Sequence, residues 1–399
     1  MNHPCLRRPF PWPRPAVRVV GVLASLLFCL PLQAWPGYEF RDWQEVTTWT
    51  PPHLASDQAG KHALSRLLVA DDGTAINAIQ TWEAKRSRTA AIVRSILGEP
   101  TNLTRPKLEV ETLDTEILED HIRRHIKIRT EQDDWIPAYL LLHKPLPASP
   151  VPAMICLHQT VAQGKKEPCG MEGSEDLAFA LQLVRRGYVC IAPDMIGFGE
   201  RIPAGTQPYH DSIAFYRRHP NWSFMGKMIW DVSRVVDYLE TVPDVDSRQI
   251  GSIGHSHGAY TTLFATAFEP RISLAIASCG FTTFRHDPVP NRWSHLTALI
   301  PQLGTYLPDV ESIPFDWQHI CSQIAPRPLF VWYGLHDTIF PNTEHLDELF
   351  QDVRTVYGLY GSADDLAWHA FDGAHGFPDH GRKRAYAWLD RQLRAKQPR

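Results

Sequence analysis

Apolar and polar positions along this chain follow two periods, and the switch between them marks out the elements. Short apolar runs bounded by Gly, Pro, Asp or Asn occupy 151–157, 188–192, 249–254, 273–278, 328–333 and 366–371, and read as strands. Two further strands, His121–Ile128 and Trp135–Leu142, precede them, and Asp133-Asp134 between these suits a hairpin turn. Helical spacing covers 174–186, 224–240, 257–268, 344–356 and 378–394. Over 224–240 it puts Met225, Met228, Ile229, Val232, Val235, Val236 and Leu239 on one core-facing side. Strands that alternate with helices imply an α/β fold with a mostly parallel, eight-stranded sheet and helices on both faces.

Upstream of the sheet the pattern changes. Residues 35–105 read as a mostly helical extension: Ile76, Ile79 and Trp82, then Ile92, Val93, Ile96 and Leu97, recur at helical spacing, and Gly98-Glu-Pro100 ends the run. Residues 1–34 read as an export signal. Arg7, Arg8, Arg14 and Arg18 precede the apolar run Val19–Leu30, and Leu32-Gln33-Ala34 is the expected cleavage site. That run is shorter than the ~20 residues a spanning helix needs, so no stable membrane insertion is expected after cleavage. The Arg7-Arg8 pair leaves the export route open between general secretion and the twin-arginine path. The catalytic domain is expected over 106–399.

The chemistry concentrates at the ends of strands. Gly254-His255-Ser256-His257-Gly258 follows the strand at 249–254 and opens the helix at 257–268. A sharp strand-to-helix turn needs small residues on both sides, and it presents the serine hydroxyl at its tip. A serine needs a base to take its proton, and the base needs an acid to hold its tautomer. Asp337 follows the strand at 328–333, and His375 follows the strand at 366–371 in a Gly-flanked loop. Ser256, Asp337 and His375 are therefore the expected nucleophile, orienting acid and general base, with Asp372 the alternative acid. The oxyanion donors are expected from the His257 N–H and from the loop His158-Gln159-Thr160, where either Thr160 or Gln159 supplies the second N–H.

These motifs carry a family resemblance. Leu157-His-Gln-Thr, Gly164-Lys165, Glu167-Pro168, Ala192–Arg201, Ile253–Gly258, Ser278–Phe284, Pro314–Trp317, Ile324–Leu329 and Gly373–Pro378 together resemble the α/β-hydrolase superfamily, in its dienelactone hydrolase and acetyl xylan esterase branch. The resemblance covers about residues 105–395 and implies a serine hydrolase without specifying the substrate.

Composition narrows the function further. The net charge of −4 over 399 residues argues against a nucleic-acid partner. Among the 19 histidines no metal-binding spacing occurs, and no cofactor motif is present, so neither a metal nor a cofactor is expected. After removal of the signal five cysteines remain, an odd number; Cys156, Cys190 and Cys279 fall in or beside strands and read as small buried groups. Two long segments, 197–222 and 281–317, should wall the substrate pocket, with Tyr209, Trp222, Arg285 and Trp293 as candidate contacts and Arg285 or Arg292 able to receive a carboxylate. The expected function is an exported carboxylic ester hydrolase acting on small or carbohydrate-linked, acetyl-type esters through an acyl-enzyme. A serine peptidase of the same fold and a non-catalytic binding module are the alternatives.

Overall fold

Among the described residues nine strands form one sheet, in the order β1-β2-β3-β5-β4-β6-β7-β8-β9. They are β1 Val110–Ile117, β2 His121–Arg129, β3 Trp135–His143, β4 Val151–Leu157, β5 Val189–Pro193, β6 Val245–His255, β7 Ile272–Ser278, β8 Leu329–Gly334 and β9 Leu366–Phe371. The computed structural model describes residues 37–52, 66–100, 104–203, 206–209 and 212–393; the expected export signal lies outside them. β1, β2, β3 and β5 pair antiparallel, and every pair from β5 across to β9 is parallel. The helices are α1 Phe40–Val46, α2 Ile79–Leu97, α3 Phe179–Val184, α4 Ser212–Arg218, α5 Phe224–Leu239, α6 His257–Phe268, α7 Trp317–Ser322, α8 His345–Leu359 and α9 Asp379–Leu393.

The sheet has one strand more than the apolar pattern predicts. β1 reads Val-Glu-Thr-Leu-Asp-Thr-Glu-Ile and is mostly exposed, so it carries little apolar signal. Its register against β2 is instead held by charge: Glu111 faces Lys127 and Glu116 faces Arg123, with N–O distances of 2.9 Å in both pairs. Opposite charges placed directly across an antiparallel pair are favourable.

Period-two alternation divides the buried side chains of β4 between two cores. Ala153, Ile155 and Leu157 face the core that includes α5, α6 and α8, whereas Met154 and Cys156 face the core that includes α3 and α9. The chain leaves β4 to form β5 on one side, then returns through α5 to form β6 on the other. Loops leaving adjacent parallel strands in opposite directions open a crevice at the strands' carboxyl ends. That crevice lies between the ends of β4 and β6, which pair Leu157 with Gly254.

α2 belongs to the same compact unit as the sheet, which runs from Ala34 to Arg399. Trp82, Val93, Ile96 and Leu97 enter the core, and Arg86 donates to the Gln323 carbonyl at 2.6 Å, just beyond α7. The buried Lys85 ammonium donates to the Val69 carbonyl at 2.6 Å and the Arg66 carbonyl at 3.2 Å. Truncating Trp82 to Ala is expected to cost about 3–5 kcal/mol, the penalty of emptying a large buried site. Urea unfolding of the variant beside the parent measures this; an unchanged midpoint would mean that α2 contributes nothing to the core.

Candidate active site

β6 ends at His255 and α6 starts at His257, so one residue makes the turn. That residue is Ser256, with φ 54° and ψ −116°, a backbone conformation costly for any side chain bearing a Cβ. It is held because the turn is wedged on all sides. Ser256 N donates to the Ser278 carbonyl at 2.8 Å, and Ala259 N donates to the Ser256 carbonyl at 2.9 Å. A Cβ on Gly258 would lie 2.0 Å from the Leu157 carbonyl oxygen, and one on Gly254 would lie 2.2 Å from Gly258. The two glycines therefore let β4, β6 and α6 meet at contact distance. The His257 N–H is the first of the helix and has no acceptor within it, so it is available to an anion at the turn.

Asp337 and His375 come to the same edge of the sheet from the loops after β8 and β9. Asp337 Oδ2 lies 2.7 Å from His375 Nδ1. The other oxygen, Oδ1, accepts from Ile339 N at 2.8 Å and Phe340 N at 2.9 Å, which fixes the buried carboxylate. The ring of His375 lies 4.8 Å from that of His255, the residue next to Ser256, and 5.9 Å from that of Phe340. Asp372, the alternative acid, is exposed and lies 2.7 Å from His336 Nε2 instead. Burial, followed by the nearby His375, pushes the His255 pKa well below the ordinary value, so that ring stays neutral beside the base. His257 is likewise held neutral, mainly by burial.

The loop after β4 is pinned from behind. His158 Nε2 accepts from Met195 N at 3.1 Å, and Val161 N donates to the Gln159 carbonyl at 2.9 Å. Lys165 is buried with Asp194 at 2.6 Å, and its ammonium also meets Glu200. Burial opposes the Lys165 charge, but Asp194 and Glu200 outweigh it and raise the pKa above that of a free lysine. The Gln159 side chain donates to Glu167 Oε1 at 3.0 Å, which turns its amide away from a free role. Thr160 is exposed, and its side chain lies near the Tyr209 hydroxyl.

Tyr209 has a left-handed backbone, with φ 67°, and its ring packs edge-on to Phe198 at 4.4 Å and to His257 at 6.5 Å. It therefore touches both segments expected to supply oxyanion donors, and it borders a cavity of about 310 Å³ lined also by Trp135, Arg201 and Phe215. Trp293 is buried between Tyr260, Phe340 and Trp317 and acts as a wall behind Phe340. Arg285 sits 3.5 Å from Asp316 and lines a cavity of about 620 Å³ with His286 and His345. Trp222 is a correction. It is buried beside Gly226 and borders a cavity shared with Phe268 and Glu269, at the opposite end of α6 from Ser256. Its indole packs tilted against Phe215 and edge-on to Trp230, so it supports a wall instead of facing the serine. Sequence reasoning missed Phe340 at this edge, because a buried loop side chain has no periodicity to find, and it gave Phe198 and Glu167 no role beyond membership of the motifs Ala192–Arg201 and Glu167-Pro168.

A serine on a strained turn after a parallel strand, with a carboxylate–imidazole pair from two later strand ends, gives the chain an α/β-hydrolase fold. A sequence profile described as "Glucuronyl esterase, fungi" matches residues 204–361. The chain is 28% identical over 268 residues to the YtaP protein of Bacillus subtilis (strain 168), named as a hydrolase, covering 65% of this chain and 84% of that one. It is 29% identical over 194 residues to the 4-O-methyl-glucuronoyl methylesterase 1 of Wolfiporia cocos, covering 43% of this chain and 46% of that one. The chain thus spans less than half the length of that fungal relative. Among solved structures it is similar to a glucuronoyl esterase from Teredinibacter turnerae T7901, with a TM-score of 0.67, 19% identity, and coverage of 88% of this chain and 99% of that one.

Gly258→Ala is expected to destabilise the protein by about 3 kcal/mol or more, since the new methyl has no room beside Leu157. Thermal unfolding checks it; a melting point within a degree of the parent would show that the turn is not wedged.

Proposed function

We propose that this chain is a serine carboxylic ester hydrolase acting on carbohydrate-linked esters through an acyl-enzyme. The observation that carries the reading is the 2.7 Å contact of His375 Nδ1 with Asp337, at the sheet edge where Ser256 is held on its strained turn. In this reading His375 Nε2 takes the Ser256 proton as Oγ attacks the ester carbonyl. Asp337 keeps the remaining proton on Nδ1 and stabilises the imidazolium. The negative charge that develops on the carbonyl oxygen goes to the His257 N–H and to a backbone N–H of the loop Gln159-Thr160, with Thr160 the favoured donor. His375 then returns its proton to the leaving alcohol, and water repeats the sequence on the acyl-enzyme.

The carbohydrate part of the reading rests on the relatives, whose names specify glucuronoyl esters. The acetyl group expected from sequence remains the competing acyl preference. Export belongs to the same reading and is supported by the basic and apolar pattern of residues 1–34. No helix among the described residues is long and apolar enough to cross a membrane.

Turnover of 4-nitrophenyl acetate, acetylated xylan and a methyl glucuronate ester tests the proposal, with an aminoacyl anilide as the peptidase control. Ser256→Ala should abolish ester turnover with the fold intact, and Asp337→Asn should lower kcat by about 10³–10⁴-fold. Ester cleavage by Ser256→Ala at the parental rate would end the proposal. Tyr209→Phe removes the hydroxyl that lies near Thr160. It should lower kcat about tenfold or more while KM moves little, because oxyanion support acts mainly in the transition state; a change confined to KM would assign Tyr209 to ground-state binding.

A further inference from the structure

Cys279 stands one residue beyond β7, on the sheet edge that carries Ser256, and the proposed mechanism leaves it without a task. Its backbone is left-handed, with φ 50°, and its N–H is tied to the Trp332 carbonyl at 2.8 Å. A left-handed conformation costs a residue with a Cβ about 1–3 kcal/mol, and such strain gathers at functional positions. The strained backbone aims the thiol inward. Sγ contacts the Gly376 carbonyl at 3.3 Å, in the loop that carries His375.

Sγ of Cys279, a carboxylate oxygen of Asp337 and a ring nitrogen of His375 all lie within 4.8 Å of one another. No other such group of three occurs among the described residues. A tetrahedral zinc ion, with bonds of about 2.0–2.3 Å, holds its ligand atoms roughly 3.3–3.6 Å apart. Side-chain rotations of about an ångström would bring the three atoms to that spacing. Sulfur, imidazole and carboxylate together suit a borderline-soft divalent ion, whereas magnesium and calcium prefer sites made of oxygen alone. Cys279 and Asp337 are buried and His375 is partly exposed, so an ion would enter from the imidazole side.

We propose that Cys279, Asp337 and His375 form a binding site for a thiophilic divalent cation such as Zn²⁺, and that its occupation switches the hydrolase off. The thiol gives its proton to water as the sulfur–metal bond forms. The imidazole changes tautomer, so that Nδ1 offers its lone pair to the metal and the ring proton moves to Nε2. No electron is transferred, and one proton is released for each ion bound. With Nε2 protonated and Asp337 drawn to the ion, the ring can no longer accept the Ser256 proton. A fourth position on the ion stays open to water or a small anion. The inhibition rests on the proposed roles of Asp337 and His375; the binding itself does not.

The test has two independent readouts on protein freed of metal with a chelator. Zn²⁺ is titrated against a chromophoric chelator to measure binding, and turnover of 4-nitrophenyl acetate is followed in parallel, with Mg²⁺ as control. Wild type should bind one Zn²⁺ that depends on Cys279 and lose turnover as it fills, with no response to Mg²⁺. Cys279→Ala should keep its turnover in the absence of zinc, and both binding and inhibition should weaken at least about tenfold. Cys279→Ser, which keeps the size and replaces the soft ligand, should fall between the two. Ser256→Ala should bind Zn²⁺ as wild type does, so the binding arm decides the matter even if the esterase reading fails. Equal zinc affinity in Cys279→Ala and wild type, or equal inhibition of the two, would overturn the proposal.

Discussion

The backbone of Ser256 is the constraint on which the rest of the site depends. A turn with φ 54° and ψ −116° does not persist alone; it needs neighbours that leave no alternative. The Leu157 carbonyl, the Gly254–Gly258 contact and the Ser278 carbonyl supply them. Each belongs to, or directly follows, a central strand of the parallel sheet, so the burial that stabilises the sheet also holds the serine in place. The hydroxyl is positioned by the stability of the whole domain more than by any single bond.

Around that turn the flexible parts are anchored by polar groups placed out of water. Asp194 accepts the Lys165 ammonium at 2.6 Å and its backbone N–H at 2.8 Å, and it also accepts the Glu200 N–H at 3.0 Å. One buried carboxylate thus joins the segment after β4 to the segment after β5. A buried pair of this kind adds little net stability against an apolar alternative, yet losing one partner costs several kcal/mol. Its effect is to specify one arrangement of two irregular segments that would otherwise have many. Asp337 works in the same way, with one oxygen on two backbone N–H groups and the other on His375.

How much of this was legible beforehand follows from what periodicity can report. Strands 151–157 and 366–371 and helix 257–268 have their observed bounds, because long apolar runs and sharp Gly or Pro stops define them. The meeting of Asp337 with His375 followed from their positions just past parallel strands, since the fold puts all such positions on one edge. β1 escaped notice because its partners are ionic, and helix 212–218 was hidden in what reads as a loop. Trp222 was misplaced because sequence shows that an aromatic lies in a wall without showing which way the wall faces. Cys279 reads as a buried apolar group, and burial is what the structure shows too; its left-handed backbone and its nearness to Asp337 need coordinates to see.

The polar first strand has a consequence for how the molecule behaves in company. Among the described residues no further strand pairs with β1 on its outer side, so this border is an edge at which an extended chain could add. A second molecule trying to zip onto it would have to bury Glu111, Asp114 and Glu116 or set its own carboxylates against them. The row of acids thus acts as a fence: it costs the fold little, since β2 supplies the matching cations, and it keeps a large apolar sheet from growing past its own last strand.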